Sequence, residues 1–203
     1  MLPKYKSQIF SIFWNSCVNE ALDALSKMIR KNVKMTKSSI EIELLNNIPK
    51  LMNPKEITTT LVYTRISNPL NCVIMFSSSL KHFLKLVNIL LNKSIDYYDA
   101  LGDENKPLIL ELGNIVNGYF VSSMNRLFNT KFEHETTDMS TNPFRSVEDF
   151  KFGNLYTEKI NVLVFRSDFK VESEDIEGKL FLLTEEKKTD MILEEISKKL
   201  KMV

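Results

Sequence analysis

Asn15 lies 99 residues before Asn114, and holding that spacing brings Leu22 onto Val121, Leu25 onto Met124, Met28 onto Leu127, Ile29 onto Phe128 and Val33 onto Phe132. An apolar pattern that returns in phase over this length means that a helix and the start of the following strand occur twice. A period near 100 residues is too long for a solenoid, whose units are single supersecondary elements. It suits two half-domains whose strands merge into one sheet. The 203 residues are therefore expected to form one α/β (α+β) domain from internal repeats over about 8–98 and 105–203. The expected architecture is a pseudo-two-fold pair of helix-strands-helix units sharing a central sheet flanked by long helices.

Each unit is legible in its local pattern. Ile9, Phe13, Cys17, Leu22, Leu25, Met28 and Ile29 return at helical spacing and predict a first helix over 9–29. The alternation in Val33–Leu45 and the β-branched run Thr58–Ile66 predict strands. The turn Asn68-Pro69-Leu70-Asn71 then joins Leu61–Ile66 to Cys72–Phe76, whose unbroken apolar character predicts a central strand buried on both faces. Ser77, Ser78 and Ser79 offer cap hydroxyls to a helix from Leu80. In the second unit, Asp99–Lys106 is a polar loop, and Pro107 suits the first turn of a helix to about Asn129. Ile160–Phe169 and Gly178–Leu183 read as paired strands, with a closing helix over Glu185–Leu200. Asn142–Asn154 breaks the repeat as an inserted loop or short helix.

Composition removes several classes of function. Twenty-seven basic against 26 acidic residues leave a net charge of +1, which gives no bulk attraction to nucleic acid. No apolar run approaches the ~20 residues that span a bilayer, so no membrane insertion is expected, and the N-terminus has no signal-peptide pattern. Cys17 and Cys72 lie far apart in apolar surroundings, which fits a reducing, cytoplasmic location. His82 and His134 have no second histidine or cysteine nearby, so no metal site is expected and both are read as surface residues. The nine methionines and 13 phenylalanines follow helix and strand periods and read as core.

The segment PLILELGNIVNGYFVSSMNRLFN, residues 107–129, carries two charged side chains, Glu111 and Arg126, in ~six helical turns. Glu111, Asn114, Gly118, Ser122 and Asn125 advance by three or four and share one polar, small stripe, with Arg126 at its end. Gly113 and Gly118 each cost about 1 kcal/mol against alanine inside a helix. Their presence implies close approach, either between the two long helices or by a partner. A Glu and an Asn three apart most often mark a solvated helix face. The residues alone lead to a polar interaction face.

ELGNIVNGYFVSSMNRLFNTKF resembles the active-site helix of the CheC, CheX and FliY chemotaxis phosphatases, which carries Glu and Asn in an E-x-G-N-I context. Glu111, Gly113, Asn114, Ile115 and Gly118 carry the match. ALSKMIRKNVKM, LKHFLKLVNILLNK and IEGKLFLL resemble other elements of the family, whose architecture is also an internal duplication. The resemblance implies hydrolysis of the phospho-aspartate of a CheY-type response regulator that brings its own Mg²⁺. Asn114 would position the attacking water and Glu111 would pair with a lysine of the regulator; Gly118, Ser122, Asn125 and Arg126 would line the binding face. It also implies a CheD-type partner, placed at Pro143–Phe150.

The flanks differ from the family pattern: Pro107 stands where Ser or Asp precedes the Glu by four residues, and Thr136 stands where a Pro follows. In the first repeat Ile12 and Asn15 occupy the motif positions, so Asn15 marks a degenerate first site without its carboxylate, and Trp14 beside it is expected to fill and block that site. The competing reading is a non-catalytic adaptor that binds a regulator or CheD. A structural role at the flagellar switch ranks lower, because FliY-like proteins carry an additional domain and this chain ends with the helix to Leu200.

Overall fold

The structure is a computed structural model, and it describes residues 3–52, 59–68, 70–92, 102, 105–141 and 160–200. The first unit comprises α1 (Lys4–Ile29), β1 (Val33–Leu44), the short α2 (Ile48–Met52), β2 (Thr59–Asn68), β3 (Cys72–Ser79) and α3 (Leu80–Leu91). The second comprises α4 (Lys106–Phe128), β4 (Glu133–His134), β5 (Asp138–Ser140), β6 (Asn161–Val171), β7 (Ile176–Glu185) and α5 (Thr189–Leu200). The inserted segment expected at Asn142–Asn154 and the CheD contact expected at Pro143–Phe150 lie outside the described residues, as does most of the loop expected at Asp99–Lys106.

Seven strands form one antiparallel sheet in the order β1-β6-β7-β3-β2-β4, with β5 also on β2. The pseudo-two-fold axis passes between β3 and β7, which pair with Ile74 opposite Leu182 and Phe76 opposite Leu180. Outward from that axis the halves correspond: β2 answers β6, and β4 with β5 answers β1. Each half therefore lends its first strand to the edge of the other. Neither half completes its own sheet, which is the physical reason that the strands of the two units merge into one.

Alternation along the central strands divides the core into two layers. Cys72, Ile74 and Phe76 of β3 join the larger cluster under α1, α3, α4 and α5, which includes Trp14, Phe120, Phe165 and Ile192. Val73 and Met75 face the other way, into a smaller cluster closed by Ile48 and Met52 of α2. The long helices thus occupy one face of the sheet. All eight residues of β3 are buried, as expected of a strand covered on both sides. The apolar cluster extends through edge-to-face pairs such as Phe13–Phe128, with centroids 5.4 Å apart.

Local chemistry sets the helix ends. Ser79 caps α3, its Oγ accepting from the His82 backbone N–H at 3.2 Å. Asn92 and Asn129 end α3 and α4 in the left-handed conformation, which asparagine tolerates better than most residues. The closing helix starts at Thr189 rather than Glu185, because β7 runs on to Glu185 opposite Val162. His82 is buried, contrary to the surface position expected from its lysine neighbours. The β6–β7 hairpin passes over it, and its Nδ1 lies 3.1 Å from the Glu177 carbonyl oxygen.

Both thiols are buried. Burial pushes Cys17 up to about 12, against a smaller opposing effect from the Ser123 hydroxyl and the Arg126 charge, and burial likewise pushes Cys72 upward. Native protein at pH 8.5 is expected to leave both thiols unreacted towards a disulfide reagent, with both reacting on unfolding; a fast native phase would contradict this. The unfolded thiols ionise near their ordinary 9.0 while the folded ones stay protonated. The contribution of the two thiols to stability is therefore fully present below pH 9 and is lost as pH rises above it.

Candidate functional site on the fourth helix

The two glycines of α4 do different things. A Cβ on Gly113 would lie 2.2 Å from Val62 Cγ1, so glycine lets α4 sit directly on β2. The close approach is helix on sheet, not helix on helix. Gly118 has no heavy atom within 4 Å of a Cβ position and faces solvent. Among the described residues nothing accounts for a glycine there.

Glu111, Asn114, Gly118 and Ser122 run exposed along the outer side of α4. Glu111 and Asn114 border a surface groove shared with Pro107, His134 and Glu135. Among the described residues Glu111 forms no ion pair. Asn125 and Arg126, at the end of the same stripe, are engaged by the chain itself. The Asn125 Oδ1 accepts from the Phe132 backbone N–H at 2.9 Å. Arg126 makes a close ion pair with Glu20 of α1, whose carboxylate also accepts from the Ser123 hydroxyl at 3.1 Å.

The side chain of Asn114 is held from behind by a chain of polar groups that begins in the core. Asn117, buried on α4, donates from Nδ2 to Thr64 Oγ1 at 3.2 Å. Thr64 and Thr137 share a hydrogen bond of 2.9 Å, and Thr137 Oγ1 donates to Asn114 Oδ1 at 2.8 Å. Each hydroxyl has one proton to give. Thr137 gives its one proton to Asn114 Oδ1, so Thr64 is the donor in the bond between the two threonines, while its lone pairs accept from Asn117 Nδ2. In this arrangement the Asn114 amide has its oxygen inward and its NH₂ as the end left for a ligand.

The first half retains part of this arrangement. Asn15 Oδ1 accepts from Ser38 Oγ at 3.3 Å, and Ser38 stands 99 residues before Thr137 as Asn15 stands before Asn114. Ser167 lies directly opposite Ser38 in the ladder but receives the Trp14 indole N–H at 2.7 Å and donates to Met35 Sδ at 3.2 Å. No proton passes from Ser167 to Ser38, so the amide of Asn15 lacks the support that Asn114 has. Ile12 occupies the place of Glu111 and is exposed. Trp14 is wholly buried against Phe120 and Phe165, so it does not block the Asn15 face as expected. The first site lacks its carboxylate and its relay, not its access.

Thr137, Thr64 and Asn117 were not singled out from sequence. The signal was present in the repeat: the spacing that aligns the two asparagines also aligns two hydroxyl residues, Ser38 and Thr137.

No protein-family profile matches the chain, and no curated protein matches it in sequence. Solved structures do match. FliY of Thermotoga maritima is similar over 98% of this chain and 99% of that one, with TM-score 0.76 and 13% identity. A CheX from Borrelia burgdorferi, solved in complex with CheY, BeF3 and Mg²⁺, is similar over 84% and 95%, with TM-score 0.50 and 15% identity. The chain has the CheC/CheX/FliY fold. That fold extends to the FliM middle domain: FliM from H. pylori, solved in complex with SpeE, is similar over the whole of both chains with TM-score 0.68 and 7% identity. In this fold α4 carries the sequence Glu111-Leu112-Gly113-Asn114-Ile115. Among the described residues no helix is long and apolar enough to cross a membrane, and no three His, Cys, Asp or Glu side chains converge as a metal site would require.

Proposed function

We propose that this protein is a cytoplasmic phosphatase for the aspartyl phosphate of a CheY-type receiver, working through one site on α4. The observation that carries the reading is the oriented amide of Asn114 beside the Glu111 carboxylate, which has no ion pair among the described residues, on a face that Gly118 leaves open. The CheX neighbour in complex with CheY supports a receiver as the partner.

The receiver supplies the phosphoryl group, the acceptor carboxylate and the Mg²⁺ that neutralises charge between them. What remains is to hold a water in line with the breaking P–O bond, a matter of position and electrostatics. The Asn114 NH₂ donates to that water, whose remaining lone pair is directed at phosphorus; the P–O bond to the aspartate breaks and inorganic phosphate leaves. Glu111 pairs with a lysine of the receiver through a charge-assisted bond and fixes its orientation. Gly118 and Ser122 present little bulk, so the receiver surface can approach the helix.

The test is the lifetime of the phosphorylated receiver from the same organism with wild-type protein, Asn114→Ala and Thr137→Val. Wild type is expected to shorten it, and Asn114→Ala to return it to the value for receiver alone, a loss of about 100-fold or more. Thr137→Val keeps the shape but frees the amide, so turnover is expected to fall about tenfold with receiver binding unchanged. A lifetime that wild type leaves unaltered, with binding intact, would favour the second reading, a binding scaffold without turnover. That reading is supported by Pro107 and Thr136 at the motif flanks. It is also supported by the likeness to FliM domains solved in complex with FliG and with SpeE.

A further inference from the structure

The start of β2, the end of β3 and the start of β7 lie together at one end of the sheet. On the face turned to α2, Leu61, Tyr63, Val73, Met75, Phe181 and Leu183 belong to the small apolar cluster. Continuing each strand on that face, the side chains change in kind to Thr59, Ser77 and Lys179, with Lys179 directly opposite Ser77 in the ladder. These three line a pocket with Met52 of α2 and with Ser79 and His82 at the start of α3.

Ser77 is 1% exposed and Thr59 3%, yet neither hydroxyl has a hydrogen-bond partner among the described residues. The adjoining serines are engaged: Ser78 Oγ donates to the Glu177 carbonyl oxygen, and Ser79 Oγ accepts from the His82 backbone N–H. Folded chains rarely leave a hydroxyl at such depth without a partner. The enclosed part of the pocket measures about 10 Å³, room for a single oxygen-sized group. One oxygen seated there would meet both hydroxyls.

Charge decides what that oxygen belongs to. Lys179 has no ion pair among the described residues, and α3, 12 residues long, brings its positive end to the pocket at Ser79 and His82. The nearby carboxylates face other cations. Asp168, opposite Lys179 on β6, is held by Arg166 through bonds of 2.9 and 2.8 Å, and exposed Glu177 stands 3.9 Å from Lys170. What remains without a counter-charge is positive. A water would satisfy the hydroxyls and leave Lys179 and the helix end as they are.

We propose that this pocket is an oxyanion site that seats one oxygen of a phosphate group between the Thr59 and Ser77 hydroxyls, with Lys179 meeting its charge. The rest of the group stays in the open mouth of the pocket. The site is distinct from the α4 face and does not rest on the phosphatase reading. Thr64, which stands behind Asn114, lies five residues further along β2, about 17 Å away, and on the opposite side of the sheet.

The experiment is an NMR titration of the full chain with inorganic phosphate and, separately, with glycerol phosphate, the ionic strength held constant with sodium chloride. Saturable shifts are expected at the amides of Ser77, Ser79, His82 and Lys179. Thr59→Val keeps the shape and removes one hydroxyl, and Lys179→Met keeps the stem and removes the charge; each is expected to weaken binding about tenfold or more. Asn114→Ala is expected to leave it unchanged. Tighter binding of inorganic phosphate assigns the site to the free ion, and tighter binding of the ester assigns it to a phosphate carried by a larger molecule. Shifts that do not saturate, or that both Thr59→Val and Lys179→Met leave intact, would overturn the proposal and make the pocket a water site.

Discussion

Trp14→Ala is expected to lower stability by about 3–5 kcal/mol, the range for removing a large buried aromatic side chain. Trp14 is fully buried where three elements meet: its ring packs on Phe120 of α4 at 5.2 Å and on Phe165 of β6 at 5.6 Å. Its indole N–H donates to Ser167 at 2.7 Å, so the bond ties α1 to the sheet as well. In urea the unfolding midpoint should fall by about 2 M, given the usual slopes for domains near this size. Trp14→Phe keeps most of the volume and gives up the donor, and its loss should be nearer 1–2 kcal/mol. A loss below about 1 kcal/mol for the alanine variant would mean that the three-way contact is not formed as described.

Gly113→Ala tests the opposite member of the repeat, since Trp14 and Gly113 stand at equivalent places in the two units. Helix propensity alone would make alanine more stable by about 1 kcal/mol. Packing predicts the reverse, because the added carbon would lie 2.2 Å from Val62 Cγ1 and α4 must rise off β2; overpacking of this kind costs about 1–3 kcal/mol. The sign of the change decides between the two. Val62→Ala removes the obstructing methyl groups and should recover part of the loss, giving a coupling of about 1 kcal/mol or more in a double-mutant cycle. Lifting α4 would also stretch Asn117 from Thr64 and loosen Asn114, so the turnover proposed above should fall along with stability.

The fold was largely open to sequence reading because its signals are local and repeated. Period-3.6 stripes in α1 and α4, the alternation in β1 and the apolar run of β3 each depend on neighbours within one element. The duplication then required equivalent elements to find equivalent places. Less accessible was the exchange of first strands between halves, which places β1 beside β6 and β4 beside β2. Strand order is decided by which edges remain open once β2–β3 and β6–β7 have paired, and no single segment encodes it.

The site divides in the same way. Glu111, Asn114, Gly118 and Ser122 share a face because helical spacing sets the direction of each Cα–Cβ bond. Asn125 and Arg126 share that spacing, yet their polar ends reach Phe132 and Glu20. A long side chain goes where its partner is, and here those partners stand seven residues along the chain and on another helix. His82 lies among lysines in sequence and is buried because a hairpin nearly 100 residues away covers it.

The repeat, the helix faces and the motif around Glu111 and Asn114 follow from the order of residues, since each depends on the conformation of one segment. Which end of the Asn114 amide faces a ligand does not. It depends on the hydrogen bond from Thr137, within a line that joins Asn117, Thr64 and Thr137 and crosses from α4 to β2 and back. That line exists only when α4 lies close enough to β2 for Gly113 to touch Val62. Hydrogen-bond polarity is a property of groups brought together, and residues more than 50 positions apart are brought together by packing alone.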